Sequence, residues 1–455
     1  MRKIQSRTLC IGLLAAVEIT GCAHGQRKQI DAMGHELHQA APQPEEIEAA
    51  HALLESEHDT PLEKNALVRA VLARNPSLES ARFAWQAVLA QQPQATALSD
   101  PTVSYSLAPA SVRSSNVRFG QVVKIEQRFP WPSTLGLAGD VVLSDAEAAR
   151  SDYQAARLNL ALLASVLFDE YAKVVRLLEL NVEHRNLTED IKAAAIAQYE
   201  TGRAPQQEPL QAEVELSHVL HEEVLLESER LVIVAKLNQL LHRAPQAPLP
   251  PPERIQFVPV EVGESAELQD QALEERPELR ATQSRIIARE SAAELTQRKF
   301  FPDLGVMGEY NSMWNETEHR WMLGVSLNVP IQIKSRRGSV DQANAELGRA
   351  RADFESWSDE VRAEVDQSRQ RVLEAQHVLA LYQKRLLPAA KAQIEAARAG
   401  YETGRNSFQA LVDSERSLRT LEIQYEEALT TFGQRGAELS RALGQTPGLP
   451  EGDTP

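Results

Sequence analysis

Tyr199-Glu200-Thr201-Gly202-Arg203 returns letter for letter as Tyr401-Glu402-Thr403-Gly404-Arg405. Four proline pairs keep the same register: Pro76 with Pro277, Pro101 with Pro302, Pro130 with Pro330 and Pro245 with Pro447, at offsets of 200 to 202 residues. Anchors that agree this closely mark an internal duplication, with one copy over 62–245 and a second over 266–447. Within each motif the glycine suits the left-handed turn that ends a helix. Asn406 or Ser407 can then cap the helix that follows. The two motifs therefore read as tips of helical hairpins. A linker over 246–265 joins the copies, and the stretch from Ala244 to Pro259 carries six prolines, which favour an extended, semi-rigid path. Residues 22–61 precede the first copy, and 448–455 form a flexible tail.

Outward from the tips, each copy reads as a helix, two strands, a long helix and a return helix. Residues 140–201 contain neither glycine nor proline, so one helix of 62 residues is open to them, ~93 Å long at 1.5 Å per residue. Leu163, Leu167, Tyr171, Val174 and Leu178 make its packing stripe, and Leu231, Val234, Leu237 and Leu241 that of its partner. The helical hairpins cover about 137–244 and 337–445, with a kink predicted at Pro388.

Ahead of each long helix the period changes from 3.6 to 2. Strands are predicted over 102–108, 117–129, 304–313 and 319–329. Val117, Phe119, Val123, Ile125 and Phe129 alternate with Arg118, Lys124, Glu126 and Arg128; Trp321, Leu323, Val325 and Leu327 alternate with Met322, Gly324, Ser326 and Asn328. One apolar and one polar face per strand, at this length, suits a bilayer crossing as a β-barrel. Four strands leave open edges that hydrocarbon does not tolerate, so closure needs further copies: two, three or four would give 8, 12 or 16 strands.

Composition narrows the function. The 455 residues carry a net charge of -16, with 43% hydrophobic and 25% charged residues. An acidic chain with no basic cluster is not a nucleic-acid binder. No run of 18 apolar residues occurs, which excludes a polytopic helical membrane protein. There is no P-loop, dinucleotide fingerprint, His-Glu-x-x-His or Gly-x-Ser-x-Gly. No enzyme and no cofactor are expected, and energy must come from a partner. Arg2, Lys3 and Arg7 precede a short apolar stretch, Thr8 to Val17, which reads as a secretory signal over 1–21. It ends in Ile19-Thr20-Gly21-Cys22, resembling the lipobox of bacterial lipoproteins, in which Cys22 becomes the acylated first residue. A single cysteine then remains, so no disulfide forms.

The duplicated unit, the acylated N-terminus and the Tyr-x-x-Gly-Arg tips resemble the TolC family of outer-membrane efflux factors over roughly 62–447. The resemblance implies a mainly α fold with a β-barrel contribution. A homotrimer would form a 12-stranded barrel in outer-membrane lipid and a periplasmic α-helical coiled-coil tunnel. It implies an exit duct in a tripartite system with a periplasmic adaptor (membrane fusion) protein and an inner-membrane pump of the resistance-nodulation-division type. Gln127-Arg128-Phe129-Pro130-Trp131-Pro132 and Asn328-Val329-Pro330-Ile331 are similar to the branch exporting heavy-metal cations. Alternatives are a duct for drugs or polypeptides, or a periplasmic coiled-coil adaptor or scaffold.

The family closes its periplasmic end with acidic residues near the second tip. Counting from the tip glycine, those positions fall at Ala410 and Asp413, and the duplication sets Glu208 opposite Ala410. Asp413 and Glu208 are thus the gate candidates, against the simpler reading of solvated carboxylates near helix N-termini. Tyr199, Gly202, Arg203, Tyr401, Gly404 and Arg405 are the expected adaptor contacts. His35 with His38, and His218 with His221, each sit three apart, too few ligands for a zinc site. Met307, Met313 and Met322 fall on the polar side of one hairpin by alternation, where thioethers could line a path for copper(I) or silver, or simply fill space.

Overall fold

The computed structural model describes residues 25–55, 61–115, 118–257 and 262–449. The predicted signal and Cys22 lie outside the described residues. The chain divides into two compact units, one of Met1–Gln39, Arg82–Asp152 and Glu278–Trp357, the other of Ala40–Ala81, Tyr153–Pro277 and Ser358–Pro455. In chain order the helices are α1 (25–39), α2 (Pro44–Glu55), α3 (Lys64–Arg74), α4 (Pro76–Leu89), α5 (Gln92–Thr96), α6 (Thr134–Glu200), α7 (Gln207–Leu240), α8 (Ser265–Glu275), α9 (Pro277–Arg298), α10 (Ile333–Leu381), α11 (Leu387–Glu402) and α12 (Phe408–Ala442). The strands are β1 (Thr102–Leu107), β2 (Gln121–Phe129), β3 (Leu304–Asn311) and β4 (Trp321–Leu327). Helix–strand–strand–helix–helix thus occurs twice, in a mainly helical chain.

The first unit holds an antiparallel sheet in sequence order β1-β2-β3-β4. Register decides its character. Val103 pairs with Ile125, Ile125 with Gly308 and Gly308 with Leu323, while Ser104 pairs with Lys124, Lys124 with Glu309 and Glu309 with Met322. Since cross-strand partners share a face, all four strands present their apolar sides together. That face is turned outward: Leu323 is 92% exposed, Trp321 74%, Val325 67% and Val103 66%. On the opposite face Lys124, Glu126, Met307 and Glu309 are half-buried.

The strands are shorter than the alternation predicts. β2 starts at Gln121, with Phe119 outside it and the predicted start at 117 outside the described residues; Gly120 approaches a neighbouring loop too closely for a side chain. A Cβ there would meet the Ala108 Cβ at 2.9 Å, and the Gly120 N–H donates to Ser111 Oγ at 2.7 Å. β3 ends at Asn311, and a 3₁₀ turn over Thr317–Arg320 precedes β4. Met313 consequently leaves the strand and sits in the turn, its Sδ against Gly120. Alternation does not govern it, so the expected row of three methionines reduces to Met307 and Met322.

In the second unit α3 packs against α6 and α7 around Leu67, Val68, Val71, Ala161, Ala164, Phe168, Tyr171, Val174, Val234 and Leu237. Two predicted stripe members miss this core: Leu163 is 46% and Leu231 55% exposed, with Ala161 and Ala164 taking the inner positions on α6. Small residues there let the helices approach closely. The proline-rich linker is tied down. Leu62 N–H donates to Pro251 O at 2.8 Å, Glu253 N–H to Leu62 O at 2.9 Å and the Tyr171 hydroxyl to Pro250 O at 3.2 Å.

Pro388 leaves its mark as a π turn over Tyr382–Leu386, in which Leu387 N–H donates to Tyr382 O, five residues back. Proline offers no N–H to residue 384 and crowds that carbonyl, and the wider turn relieves both. The offset between the copies grows from 200 at Pro130 and Pro330 to 202 at the tips. The π turn lies inside the lengthened stretch and takes up one surplus residue.

Asp169 is fully buried, with Lys64 Nζ 2.6 Å from its Oδ1. Burial raises the carboxyl's pKa while Lys64 opposes the rise. Lys64→Met strands this charge and should cost about 3–5 kcal/mol in thermal unfolding of the purified protein, part of it recovered as lower pH neutralises Asp169. A loss well under 1 kcal/mol would show that the pair contributes nothing.

Candidate functional site at the hairpin tips

Both tips are built alike. At the first, Gly202 has φ 73°, its N–H donates to Tyr199 O, and Arg203 N–H donates to Gln198 O, each at 2.9 Å. At the second, Gly404 has φ 70°, its N–H donates to Tyr401 O at 3.0 Å, and Arg405 N–H donates to Gly400 O at 2.7 Å. Such a left-handed residue satisfies the last carbonyls of α6 and α11, and a side chain there would be strained. Thr201 and Thr403 hydroxyls donate to Ala197 O at 3.1 Å and Ala399 O at 2.9 Å. Only the second tip is capped onward, with Ser407 Oγ accepting from Ala410 N–H at 3.2 Å. At the first tip the N-cap of α7 is Gln206, which is in helical conformation and makes no side-chain cap.

The repeated tyrosine takes opposite roles. Tyr199 is 44% exposed. Tyr401 is buried, packs edge-on against Phe408 with ring centroids 5.7 Å apart, and donates its hydroxyl to Glu208 Oε2 at 2.8 Å. Burial, then the Glu208 charge, push the Tyr401 phenol pKa upward, so it stays protonated and a donor. Arg203 and Arg405 are exposed.

Glu208 opens a polar ladder along α7. Gln211 Nε2 donates to Gln409 Oε1 at 2.8 Å, and buried Glu215 receives Arg416 through two nitrogens, Nε at 3.0 Å. Positions 208, 211 and 215 share one face of α7. The Arg416 guanidinium outweighs burial and lowers the Glu215 pKa. Asp413 stands beside the ladder, with more than half of its side chain exposed. It accepts from Gln409 Nε2 at 2.8 Å and lies 3.8 Å from Arg416 Nη1. The two gate candidates therefore differ: Asp413 faces solvent, while Glu208 is engaged in joining one hairpin to the other. Glu215 and Arg416 went unnoticed in the sequence, though the 208, 211, 215 spacing carried the signal.

The remaining candidates stay apart. His218 and His221 are exposed on α7, and His35 and His38 lie on α1. Among the described residues no group of three or more His, Cys, Asp or Glu side chains could hold a metal ion. A histidine passed over in the sequence, His184, is instead buried between two carboxylates.

Comparison with known proteins agrees with this geometry. Residues 268–445, nearly the whole second copy, match the family model described as outer membrane efflux protein. Among curated proteins no sequence matches. The fold is similar to that of the outer-membrane channel OprN, with a TM-score of 0.72 and 17% identity, covering 90% of this chain and 97% of that one. It is likewise similar to CusC, whose structures concern folding and transmembrane channel formation (0.73, 17%, 86% and 96%). A third likeness is to the outer membrane protein VceC of Vibrio cholerae (0.70, 17%, 84% and 96%). Over its second copy the chain thus matches the outer membrane efflux protein family, and its described residues share the fold of these outer-membrane channels.

Proposed function

We propose that this chain is one protomer of a lipid-anchored outer-membrane exit duct, a passive conduit that three copies complete. The observation that carries this reading is the inverted sheet, apolar side to solvent and polar side half-covered. In water such a face would be a liability, whereas in hydrocarbon it is the required arrangement. β4 has seven residues, but its exposed apolar alternation runs on through Val329 and Ile331, 68% and 81% exposed. Counted from Trp321 that is 11 positions, a barrel strand's span. Among the described residues β1 and β4 have no strand partner on one side, and closure onto sister copies supplies one. Three copies give 12 strands.

Two further features support the reading. On α7, Leu210, Val214, His221, Val224 and Leu231 are exposed at heptad spacing, a seam suited to a neighbouring helix. Near the N-terminus, Gln26 Nε2 donates to Gly136 O at 3.0 Å and Asp140 Oδ1 at 2.6 Å, in the first two turns of α6. In this reading the tips meet the adaptor, the pump provides the drive, and Asp413 with Glu208 restrains leakage. The cargo is heavy-metal cations, on the resemblance of residues 127–132 and 328–331.

Leu323→Arg should lose outer-membrane accumulation and assembly, at about 2–4 kcal/mol for a charge facing mid-bilayer, while Met322→Arg on the opposite face should assemble. Equal behaviour of the two variants would refute the barrel. Asp413→Ala should raise single-channel conductance and weaken cation preference in planar bilayers; unchanged records would remove Asp413 from the gate. Deleting the gene should sensitise cells to divalent, copper or silver ions rather than dyes, and the reverse pattern would reassign the cargo.

A further inference from the structure

His184 lies about three-quarters of the way along α6 in the second unit, 4% exposed. Its Nδ1 is 3.3 Å from Glu415 Oε1 and its Nε2 is 3.0 Å from Glu422 Oε2, both on α12. A neutral imidazole carries one bare nitrogen, which here would face carboxylate lone pairs at contact distance. Only the doubly protonated ring suits both neighbours. Arg419 from α12 stands 3.9 Å from Glu415 Oε1, and Lys391 from α11 stands 3.4 Å from Glu422 Oε1. From α7, Glu222 joins Asn181, His184 and Arg419 around a cavity of about 20 Å³, room for roughly one water.

These contacts join the first hairpin to the second, well back from the tips. Glu415 is almost fully buried and Glu422 largely so; Arg419 and Lys391 each reach one of them, and the imidazolium is the charge that touches both. Without its proton, a bare ring nitrogen would face a carboxylate at contact distance and the link between Glu415 and Glu422 would be lost, leaving each with Arg419 or Lys391 alone.

We propose that His184 is a proton-dependent bolt: its charged ring, clamped by Glu415 and Glu422, holds α6 to α12, and loss of the proton frees the hairpins to move apart. The functional consequence rests on the duct reading above, since separation of hairpins matters only where they enclose a passage. The pH range follows from the site. Burial lowers the imidazole's affinity for its proton, but the two carboxylates outweigh this and bring the pKa to about 9, against 6.5 for a free histidine. A raised histidine stabilises fully below 6.5, and its contribution falls as pH rises, vanishing above about 9. Across that window the joined form should lose roughly tenfold per pH unit, about 300-fold in all.

The test compares wild type with His184→Gln, purified as the full assembled protein, between pH 6 and pH 10. Wild type should show a thermal midpoint that falls from pH 6.5 to 9 and then levels, and an open probability in planar bilayers that rises over the same range. His184→Gln should show neither dependence. Matching pH profiles in the two proteins would overturn the bolt. Should His184→Gln fail to fold, Glu422→Gln decides: with one carboxylate gone the fall should end at lower pH, and an unmoved window would overturn the proposal. A stability window specific to wild type with no conductance from either protein would sustain the bolt and sink the duct.

Discussion

A sheet whose backbone is paired inside and unpaired at both edges, and whose greasy side faces out, sets the terms for the rest of the molecule. In water the hydrophobic effect would fold that side against something. Among the described residues the other elements are helices, and the sheet's apolar side is exposed. In a bilayer the same side is satisfied, but the unpaired edges are not, because hydrocarbon offers the backbone no hydrogen bonds. On the duct reading proposed above, β1 and β4 call for sister copies before any helix is considered.

The helical part obeys different rules. It is knit by polar and charged contacts set into a coiled-coil background: Tyr401 with Glu208, Arg416 with Glu215, His184 with Glu415 and Glu422. Long hairpins of similar residues could slide by a turn with little change in apolar burial. Buried polar pairs do not slide, because each demands one partner at one height. Ionic bonds of this kind also respond to proton concentration and to partners, as an all-leucine seam would not.

What could be read in advance follows from range. The duplication, hairpin tips and strand faces are local patterns, written in glycine, proline and alternation within a few residues, and the structure contains them. Phe119, Met313 and Arg320 fall outside the strands because alternation does not see the close approach at Gly120 or the 3₁₀ turn before β4. The Pro388 kink was legible, though its form as a π turn was not. His184 escaped because its meaning lies in Glu415 and Glu422, more than 230 residues away, and a lone histidine within a helix announces nothing. The same applies to Glu215 and Arg416.

The two tyrosines of the repeated motif bear on recognition. Duplication supplied two identical pentapeptides with almost the same backbone, and later divergence committed one phenol to an internal bond while leaving the other in the open. A binding partner that grips tyrosine therefore finds one handle per chain, not two. Gene doubling produced a pair of matching prongs, and a single hydrogen bond has made them chemically distinct ends.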